Sequence, residues 1–440
     1  MRKEIHFKIH CILLYVFAFA MPFSTPSLNY SFEGMHFYLN ITPTLLGLFL
    51  LNWLVEADFK AKLQRIKENK LIFPFLAVTG FYAMYLIGMT YTANLDFGRT
   101  DLLLKLPFLL FPLLIFTTNS KLWKPKMTQN LLFTFAAGNL LALFISLIHS
   151  AIRSEGTFSI YYFHYGNASL FYHPSYASMY YCFSFVIIFY VLINNQLSSW
   201  KKIIAWFMFL LFPMGIALLD SRTGLLAFAA TIVMFAFYIV IFNRKKSLRF
   251  FLYMSVLFCI FGAIYLLLPK EINRLFVSIY QMKVENIKVE NINVENINVE
   301  ELNEDVRLGK IDARAQIWIS AVEVIKEHPV LGVGTGDVKD ALMEKYIQYN
   351  FYKSQEYRFN AHNQFLQIMV TFGLAGFAIF LTFLASIFWM SWKKRSVLLF
   401  AFGLIGLVNF WTESMFEKQI GVMFFAFFFA LLCYGDMVNE

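Results

Sequence analysis

The sequence predicts an all-α polytopic membrane protein, and its composition and hydropathy carry this prediction. Hydrophobic residues make up 59% of the 440 positions, charged residues make up only 15%, and 53 positions are phenylalanine. Soluble domains are about a quarter charged, so the composition excludes an ordinary soluble fold. The mean hydropathy is +0.59, and the apolar residues occur in separate runs that approach the roughly 20 residues needed to cross a bilayer.

Twelve of these runs are expected to be transmembrane helices. They cover residues 8–24, 36–55, 71–91, 101–118, 129–150, 175–194, 203–220, 222–243, 249–269, 364–391, 396–411 and 419–435. The first run resembles a signal peptide because Arg2 and Lys3 precede it, but no A-x-A cleavage site follows. Since eleven further runs come after it, we interpret it as an uncleaved span.

The distribution of basic residues predicts the orientation of these spans. With a cytoplasmic N-terminus, the loops predicted inside are all basic; their lysines and arginines fall within 60–70, 121–126, 201–202, 244–249 and 393–395. The short outer loops offer only Arg99, Arg153, Arg222 and Lys418. Because cytoplasmic loops carry an excess of Lys and Arg, both termini are predicted to be cytoplasmic. The net charge of +9 is explained by this asymmetry, and no nucleic-acid partner is expected.

One long polar loop divides the chain into three parts. Residues 1–269 hold the first nine spans, residues 270–363 form the outer loop, and residues 364–440 hold the last three spans. Within the loop, 283–304 is a low-complexity repeat that begins KVENIKVEN, and 305–363 is predicted to form a small helical cap. The pattern ARAQIWISAVEVIKEHP predicts a cap helix that ends at the proline.

The cysteines do not form a recognisable site. Cys11, Cys182, Cys259 and Cys433 all lie within or at the ends of apolar runs, and no CxxC or Cys/His cluster is present. The outer loops also lack a DxD carboxylate pair of the kind that holds a divalent metal. We therefore expect neither a metal nor another cofactor.

His362 is the first candidate for chemistry. It stands in RFNAHNQFLQIMVTFGLAG, residues 358–376, directly before the tenth span. Its ring is therefore expected at the outer interface, where a histidine can accept a proton near neutral pH. The alternative is an interfacial histidine that only forms hydrogen bonds with Asn360, Asn363 and Gln364.

Two arginines are candidates for binding an anion. Arg222 stands in GIALLDSRTGLLAF, where the seventh and eighth spans meet with almost no loop. Charges at this depth often mark functional sites, and the guanidinium fork suits phosphate oxygens. A local pair with Asp220, or snorkelling to the interface, is the alternative. Arg314 lies at the start of the predicted cap helix, where solvation alone also explains it.

Three further outer segments are conspicuous. The turn NFWTESMFEKQIG contains Trp411 and Glu413, and the Glu413 carboxylate is expected to face a polar cavity. The aromatic loop FSIYYFHYGNASLFYHPSYAS contains His164 and His173; packing at the membrane interface explains it, with sugar stacking as the alternative. The run GVGTGD lacks the GK[ST] that completes a phosphate loop, so we interpret it as a tight turn between cap helices.

The order of these motifs resembles the O-antigen ligase and polymerase superfamily. The resemblance rests on SRTG at the start of a helix, R-A-x-I-W in a large outer loop, HPVLGVGTGD, and AHNQFLQ followed by FGLAG. It covers roughly residues 205–390, and WTESMFEKQIG also fits. The pentapeptide repeat is a departure from the family pattern, because it lengthens the loop before Arg314.

The resemblance implies a GT-C-like glycosyltransferase of the bacterial inner membrane whose site faces the periplasm. Such an enzyme is inverting and metal-independent. It moves a glycan from an undecaprenyl-diphosphate donor to a sugar hydroxyl of lipid A-core or of another glycan.

The resemblance also assigns roles to residues. His362 matches the family's essential histidine and would take the proton of the acceptor hydroxyl. Arg222 and Arg314 match its two arginines and would bind the donor diphosphate. The side chains expected to support the site are Asn360, Asn363, Trp411 and Glu413.

Four functions remain open at this point. An O-antigen ligase is the leading hypothesis, and a repeat-unit polymerase with the same donor is the close alternative. A protein O-glycosyltransferase would use a polypeptide acceptor. A lipid-linked sugar transporter is a different class, but transporters tend to have repeated halves and polar groups near the bilayer midplane, which this sequence does not display.

Overall fold

A computed structural model describes residues 2–23, 29–32, 35–38, 41–156, 160–194, 197–242, 246–267 and 313–435. The predicted repeat at 283–304 and the first residues of the predicted cap, 305–312, lie outside the described residues. The division of the chain into three parts therefore stays a prediction.

The described residues fold mainly into α-helices. In chain order these are α1 (Arg2–Ala20), α2 (Ile41–Glu56), α3 (Phe59–Glu68), α4 (Ile72–Gly88), α5 (Leu95–Lys105), α6 (Pro107–Phe116), α7 (Pro125–Arg153), α8 (Pro174–Asn194), α9 (Ser199–Leu218), α10 (Arg222–Phe242), α11 (Ser247–Leu267), α12 (Ala313–Glu327), α13 (Val338–Gln348), α14 (Tyr352–Tyr357), α15 (Gln364–Lys394), α16 (Val397–Thr412) and α17 (Gln419–Tyr434). Strands β1 (Asn29–Phe32) and β2 (Met35–Tyr38) form an antiparallel hairpin between α1 and α2, with Asn29 opposite Tyr38 and Phe32 opposite Met35.

The all-α membrane class is supported, while the count of twelve spans stays a prediction. Among the described residues, six helices are long and apolar enough to cross a membrane: Lys3–Phe23, Lys126–Arg153, Pro174–Asn194, Ser199–Leu218, Arg222–Ile239 and Gln364–Lys394. The helices α3 and α4 make a seventh candidate if they are taken as one span bent by 115°. Four of the remaining predicted spans coincide with shorter helices, and the run 249–269 coincides with α11.

Two predicted spans differ in detail from the helices that form. The run 101–118 is divided between α5 and α6, which meet at Leu106. The break follows from Pro107, because proline has no backbone N–H for the helical ladder. The run 36–55 becomes helical only at Ile41, after the hairpin.

The loops that connect the helices lie at two opposite ends of the bundle. At one end, which we call the basic end because the basic loops 60–70 and 121–126 meet there, the Tyr434 hydroxyl donates to the Thr118 carbonyl at 2.8 Å, and Lys3 pairs with Asp58 at 2.7 Å. The beginning of α1 and the end of α17 therefore lie at the same end. At the opposite end, which we call the His362 end, the Thr335 hydroxyl of the cap donates to the backbone near the end of α4 at 2.7 Å.

The core between the two ends is aromatic. Every residue of α17 from Gly421 to Tyr434 is buried. Phe427 of this helix lies 5.3 Å from Phe111 of α6, and Phe424 lies 4.9 Å from Tyr180 of α8, measured between ring centroids. Such pairs contribute about 0.5–1.5 kcal/mol each beyond the area that they bury, so α17 is the central helix around which the bundle packs.

The helices α12, α13 and α14 form a small layer at the His362 end. Their apolar faces make a separate buried cluster that includes Ile317, Val324, Leu342 and Tyr346. The helix predicted over 313–329 is confirmed as α12, and the second cap helix is confirmed as α13. The position of this layer on the periplasmic side stays a prediction.

The segment between α12 and α13 is fastened to a kink in α15. At Gly373 the backbone leaves the helical region, with φ 56° and ψ −157°. The N–H groups of Leu374 and Ala375 instead donate to the carbonyls of Pro329 and Val330, at 2.9 and 3.1 Å.

The carbonyls on the other side of the kink are satisfied in the same way. Val370 and Thr371 accept from the N–H groups of Val333 and Gly334, at 3.0 and 2.9 Å. The segment that contains GVGTGD therefore supplies the hydrogen bonds that the kink removes from the helix. It is a turn, as predicted, and it also fixes the cap to the bundle.

Candidate functional site

The motif SRTG places Arg222 at the first position of α10. The Ser221 hydroxyl accepts from the Gly224 N–H at 3.2 Å, as in an N-terminal cap. Gly224 faces α8 so closely that a Cβ there would lie 2.3 Å from the Cβ of Ser178. The glycine thus brings α10 against α8, and the Arg222 side chain is exposed at the His362 end.

The backbone of His362 is held in a conformation that few side chains adopt. Its φ is +43°, in the left-handed region, where histidine is more frequent than most residues but still uncommon. The Asn360 side chain accepts from the His362 N–H at 3.0 Å. Asn363 then caps α15, since its side-chain oxygen accepts from the N–H groups of Phe365 and Leu366. Asn360 and Asn363 therefore orient the histidine from both sides.

The turn between α16 and α17 is bonded to the same segment. The Asn363 amide donates to the Trp411 carbonyl at 3.0 Å, and the Asn363 N–H donates to the Ser414 hydroxyl at 3.2 Å. The Gln364 side chain accepts from the Phe416 N–H at 2.7 Å. The Trp411 side chain is 62% exposed, so Trp411 contributes to this geometry through its backbone.

These contacts bring His362 and Glu413 together. The Nδ1 atom of His362 lies 3.0 Å from Oε1 of Glu413, and their side chains are 26% and 11% exposed. A carboxylate at this distance favours the tautomer with the proton on Nδ1, which leaves the Nε2 lone pair to accept a proton. A carboxylate and an imidazole in this relation form a general base with a fixed orientation.

The charges around Glu413 keep its carboxylate ionised. Burial by itself raises the pKa of Glu413, but the hydrogen bond from His362 and the charges of His362, His173 and Arg314 lower the pKa below its ordinary value. Arg314 is exposed at the beginning of α12, and its charge is among those that lower the pKa of Glu413. His362 and Glu413, which are 51 residues apart in the chain, are thus in contact, and the charge of Arg314 acts on the same carboxylate.

His173 also acts on Glu413 through its charge. From the sequence alone, this histidine is interpreted as an interfacial residue. Partial burial lowers its pKa, the charge of Glu413 raises it, and the charges of His362, Arg314 and Lys418 lower it further. Its Nδ1 accepts from the Ser175 N–H at 3.4 Å. A signal was present in the sequence, because His173 directly precedes an apolar span on the predicted outer side, as His362 does.

Arg222 is connected to the pair of His362 and Glu413 through its neighbour. Thr223 of α10 forms a hydroxyl–hydroxyl hydrogen bond with Thr412, the residue before Glu413. Asp220, on the other side of Arg222, lies 3.2 Å from the Nε2 atom of His164. Both guanidinium groups predicted to bind an anion are therefore at the His362 end.

A buried ion-pair cluster lies behind the turn that carries Glu413. Lys105, which has no exposed surface, pairs with Asp101 and also with Glu417, at 3.1 Å from the latter. This cluster fixes the end of α5 to the turn at Met415–Glu417. Glu417 stands in the turn NFWTESMFEKQIG, and the sequence alone does not identify its partners.

The chemistry available at this site is that of a base beside cationic groups. Within the residues that the structure describes, no group of three or more His, Cys, Asp and Glu side chains could hold a metal ion. The side chains present offer proton transfer by His362 and anion binding by Arg222 and Arg314.

The fold and this site together define a multi-pass membrane protein with a polar site at one end of its helical bundle. Residues 206–381 match the family model described as O-Antigen ligase. This match supports the resemblance to the O-antigen ligase superfamily that the motifs indicate. The matched segment contains Arg222, Arg314 and His362, whereas Glu413 lies beyond it. A search of curated proteins returned no match.

Proposed function

We propose that the protein is an O-antigen ligase, which transfers a glycan from undecaprenyl diphosphate to a sugar hydroxyl of lipid A-core at the periplasmic face of the inner membrane. The match to the O-antigen ligase family model supports a membrane glycosyltransferase in general terms. The observation that carries the proposed transfer to a hydroxyl group is the pair formed by His362 Nδ1 and Glu413 Oε1 at 3.0 Å.

His362 would act as the general base. Its Nε2 atom takes the proton of the acceptor hydroxyl while the hydroxyl oxygen forms a bond to the anomeric carbon. The bond between that carbon and the phosphate oxygen breaks, and undecaprenyl diphosphate leaves with the electron pair. Glu413 stabilises the imidazolium that forms, because it holds a negative charge beside Nδ1.

Arg222 and Arg314 would bind the diphosphate of the donor. A guanidinium group can hold two phosphate oxygens at once, and its charge stabilises the negative charge that develops on the leaving group. Both residues are exposed at the His362 end, where a donor carried by the outer leaflet would present its diphosphate.

A repeat-unit polymerase is the second candidate. It would use the same donor with a second lipid-linked glycan as the acceptor, so the roles of His362 and the two arginines would be the same. The residues described above act on the donor and on a hydroxyl proton, and they do not distinguish the two acceptors.

The lipopolysaccharide profile of a deletion strain tests the proposal. The strain is complemented with wild type, with His362→Ala, or with His328→Ala, which removes an exposed histidine of the cap as a matched control. We expect the deletion and His362→Ala to leave bare core, with long glycan retained on undecaprenyl diphosphate, and His328→Ala to restore the ladder.

Other outcomes identify other functions. Core that carries a single repeat unit would establish the polymerase and contradict the ligase. An unchanged ladder in the deletion strain would contradict both, and the glycan or acceptor would have to be a different one. Normal transfer by His362→Ala would contradict the mechanism whichever acceptor is used.

A second pair of variants tests the arginines. Arg222→Lys should fail to complement, because a point charge cannot replace the planar fork. Arg153→Lys makes the same change at an exposed arginine at the end of α7 and should complement normally. Equal activity of the two variants would contradict bidentate binding at Arg222.

A further inference from the structure

The helix α3 at the basic end is amphipathic and sharply bent away from α4. It is ten residues long, with the sequence FKAKLQRIKE. The chain bends by 115° between α3 and α4, and α4 lies within the predicted span 71–91. Because membrane-spanning helices are tilted by about 20° on average, a helix bent this far from a span lies closer to the plane of the membrane than to its normal.

One side of α3 is fastened to the bundle. Lys62 is buried, where it pairs with Glu56 at 2.9 Å and lies 4.5 Å from the ring centroid of Trp53. Arg65 donates to the Thr117 carbonyl at 3.0 Å. Two of the four basic residues of the helix therefore hold it in place and are committed to partners within the protein.

The other side of α3 combines exposed apolar and basic side chains. Phe59 and Leu63, one turn apart, are 44% and 52% exposed. Lys60 and Lys67 are exposed on the adjoining face. Exposed apolar residues also occur at the end of α2 and the beginning of α4, and they include Leu54 and Ile72.

We propose that α3 is an interfacial helix that binds anionic phospholipids at the membrane surface of the basic end. Phe59 and Leu63 enter the boundary between headgroups and acyl chains, and Lys60 and Lys67 bind the phosphate groups. An apolar edge flanked by lysines on a helix that lies in the membrane plane is the arrangement that such helices use. This inference does not depend on the proposed transferase activity.

Binding of phosphatidylglycerol to the full-length protein in detergent, measured by native mass spectrometry, tests the charge component. Each lysine near an anionic surface favours binding about fivefold, so Lys60→Gln/Lys67→Gln should weaken binding about 25-fold. The control Lys339→Gln/Lys353→Gln removes two exposed lysines of the cap and should leave the affinity unchanged. Equal affinity of both double variants for phosphatidylglycerol would contradict the proposal. Displacement of the bound lipid by inorganic phosphate at the same concentration as the lipid would also contradict it.

A spin label on Leu63→Cys tests the insertion, with the native cysteines replaced and the protein in nanodiscs that contain phosphatidylglycerol. We expect the label to be relaxed by oxygen, which concentrates in the acyl region, and protected from a water-soluble nickel chelate. Access by the chelate would contradict insertion. Protection from both reagents would mean that protein covers the helix, and would contradict a lipid partner.

Discussion

At the scale of single residues, the contact between His362 and Glu413 makes the sharpest prediction. Glu413→Gln keeps a group that can accept a hydrogen bond but removes the charge that stabilises the imidazolium. We expect kcat for glycan transfer to fall about 10- to 100-fold, with a smaller change in KM. This is at most the lower end of the roughly 10²- to 10⁴-fold that general-base catalysis contributes, because the base itself is retained. Initial rates with purified donor and acceptor measure both constants.

The control for this variant lies in the same turn. Lys418→Gln changes an exposed charge five residues away and should leave kcat within a factor of two or so. If the two variants lose activity to the same extent, the loss comes from the overall charge of the turn and not from the contact between Glu413 and His362.

The charge of Glu413 also gives stability a pH dependence of known sign. Its pKa is lowered in the folded protein, despite the opposing effect of burial, by the hydrogen bond from His362 and the nearby charges. A depressed carboxyl pKa stabilises the fold above the unfolded value of about 4.3, and this contribution is lost as the pH falls through the folded value. The difference in Tm between wild type and Glu413→Gln should therefore be largest near neutral pH and should vanish in acid. Thermal unfolding in detergent between pH 7 and 3 measures it, and a constant difference would contradict the shift.

At the scale of helices and turns, the buried cluster of Lys105 with Asp101 and Glu417 predicts a loss of stability. Lys105→Met leaves two buried carboxylates without their cation, which costs about 3–5 kcal/mol when a buried pair is broken. The same helix offers a control, because Arg99 pairs with Asp96 at side-chain exposures of 70% and 96%. Arg99→Met should change the free energy of unfolding by less than about 1 kcal/mol, as measured by denaturant titration.

The kink at Gly373 predicts a second loss of stability. An added Cβ would lie 2.4 Å from the carbonyl carbon of Val330, and the positive φ disfavours any other residue. Gly373→Ala should therefore destabilise the protein by about 2 kcal/mol or more and loosen the cap, which limited proteolysis would detect. Gly47→Ala is the matched control, because its Cβ would meet nothing within 4 Å in α2, and it should be neutral or stabilising.

At the scale of the whole molecule, the two ends of the bundle predict opposite accessibility across the membrane. Lys418 is exposed at the His362 end and Lys124 is exposed at the basic end. With the native cysteines replaced, we expect Lys418→Cys to react with an impermeant maleimide from the periplasmic side. Lys124→Cys should react only after the inner membrane is opened. Reaction of both positions from one side would contradict the proposed orientation.

The sequence by itself determined the class of the protein and the location of its principal candidates. Apolar runs identify helices without tertiary information, because a bilayer requires every backbone group to be bonded within its own segment. His362, Arg222 and Arg314 stand out because polar side chains are conspicuous beside such runs. The order of the motifs indicated the superfamily that the family match supports.

Only the tertiary structure decided which distant residues meet. The contacts of His362 with Glu413 and of Lys105 with Glu417 join segments from different parts of the chain. The charge of Glu413 also acts on His173, which lies in a further segment. Such contacts depend on how apolar helices pack, and hydropathy does not specify which helices pack together or in which register. The kink at Gly373 illustrates the same limit: the sequence contains its glycine, but the segment that satisfies its hydrogen bonds lies about forty residues earlier.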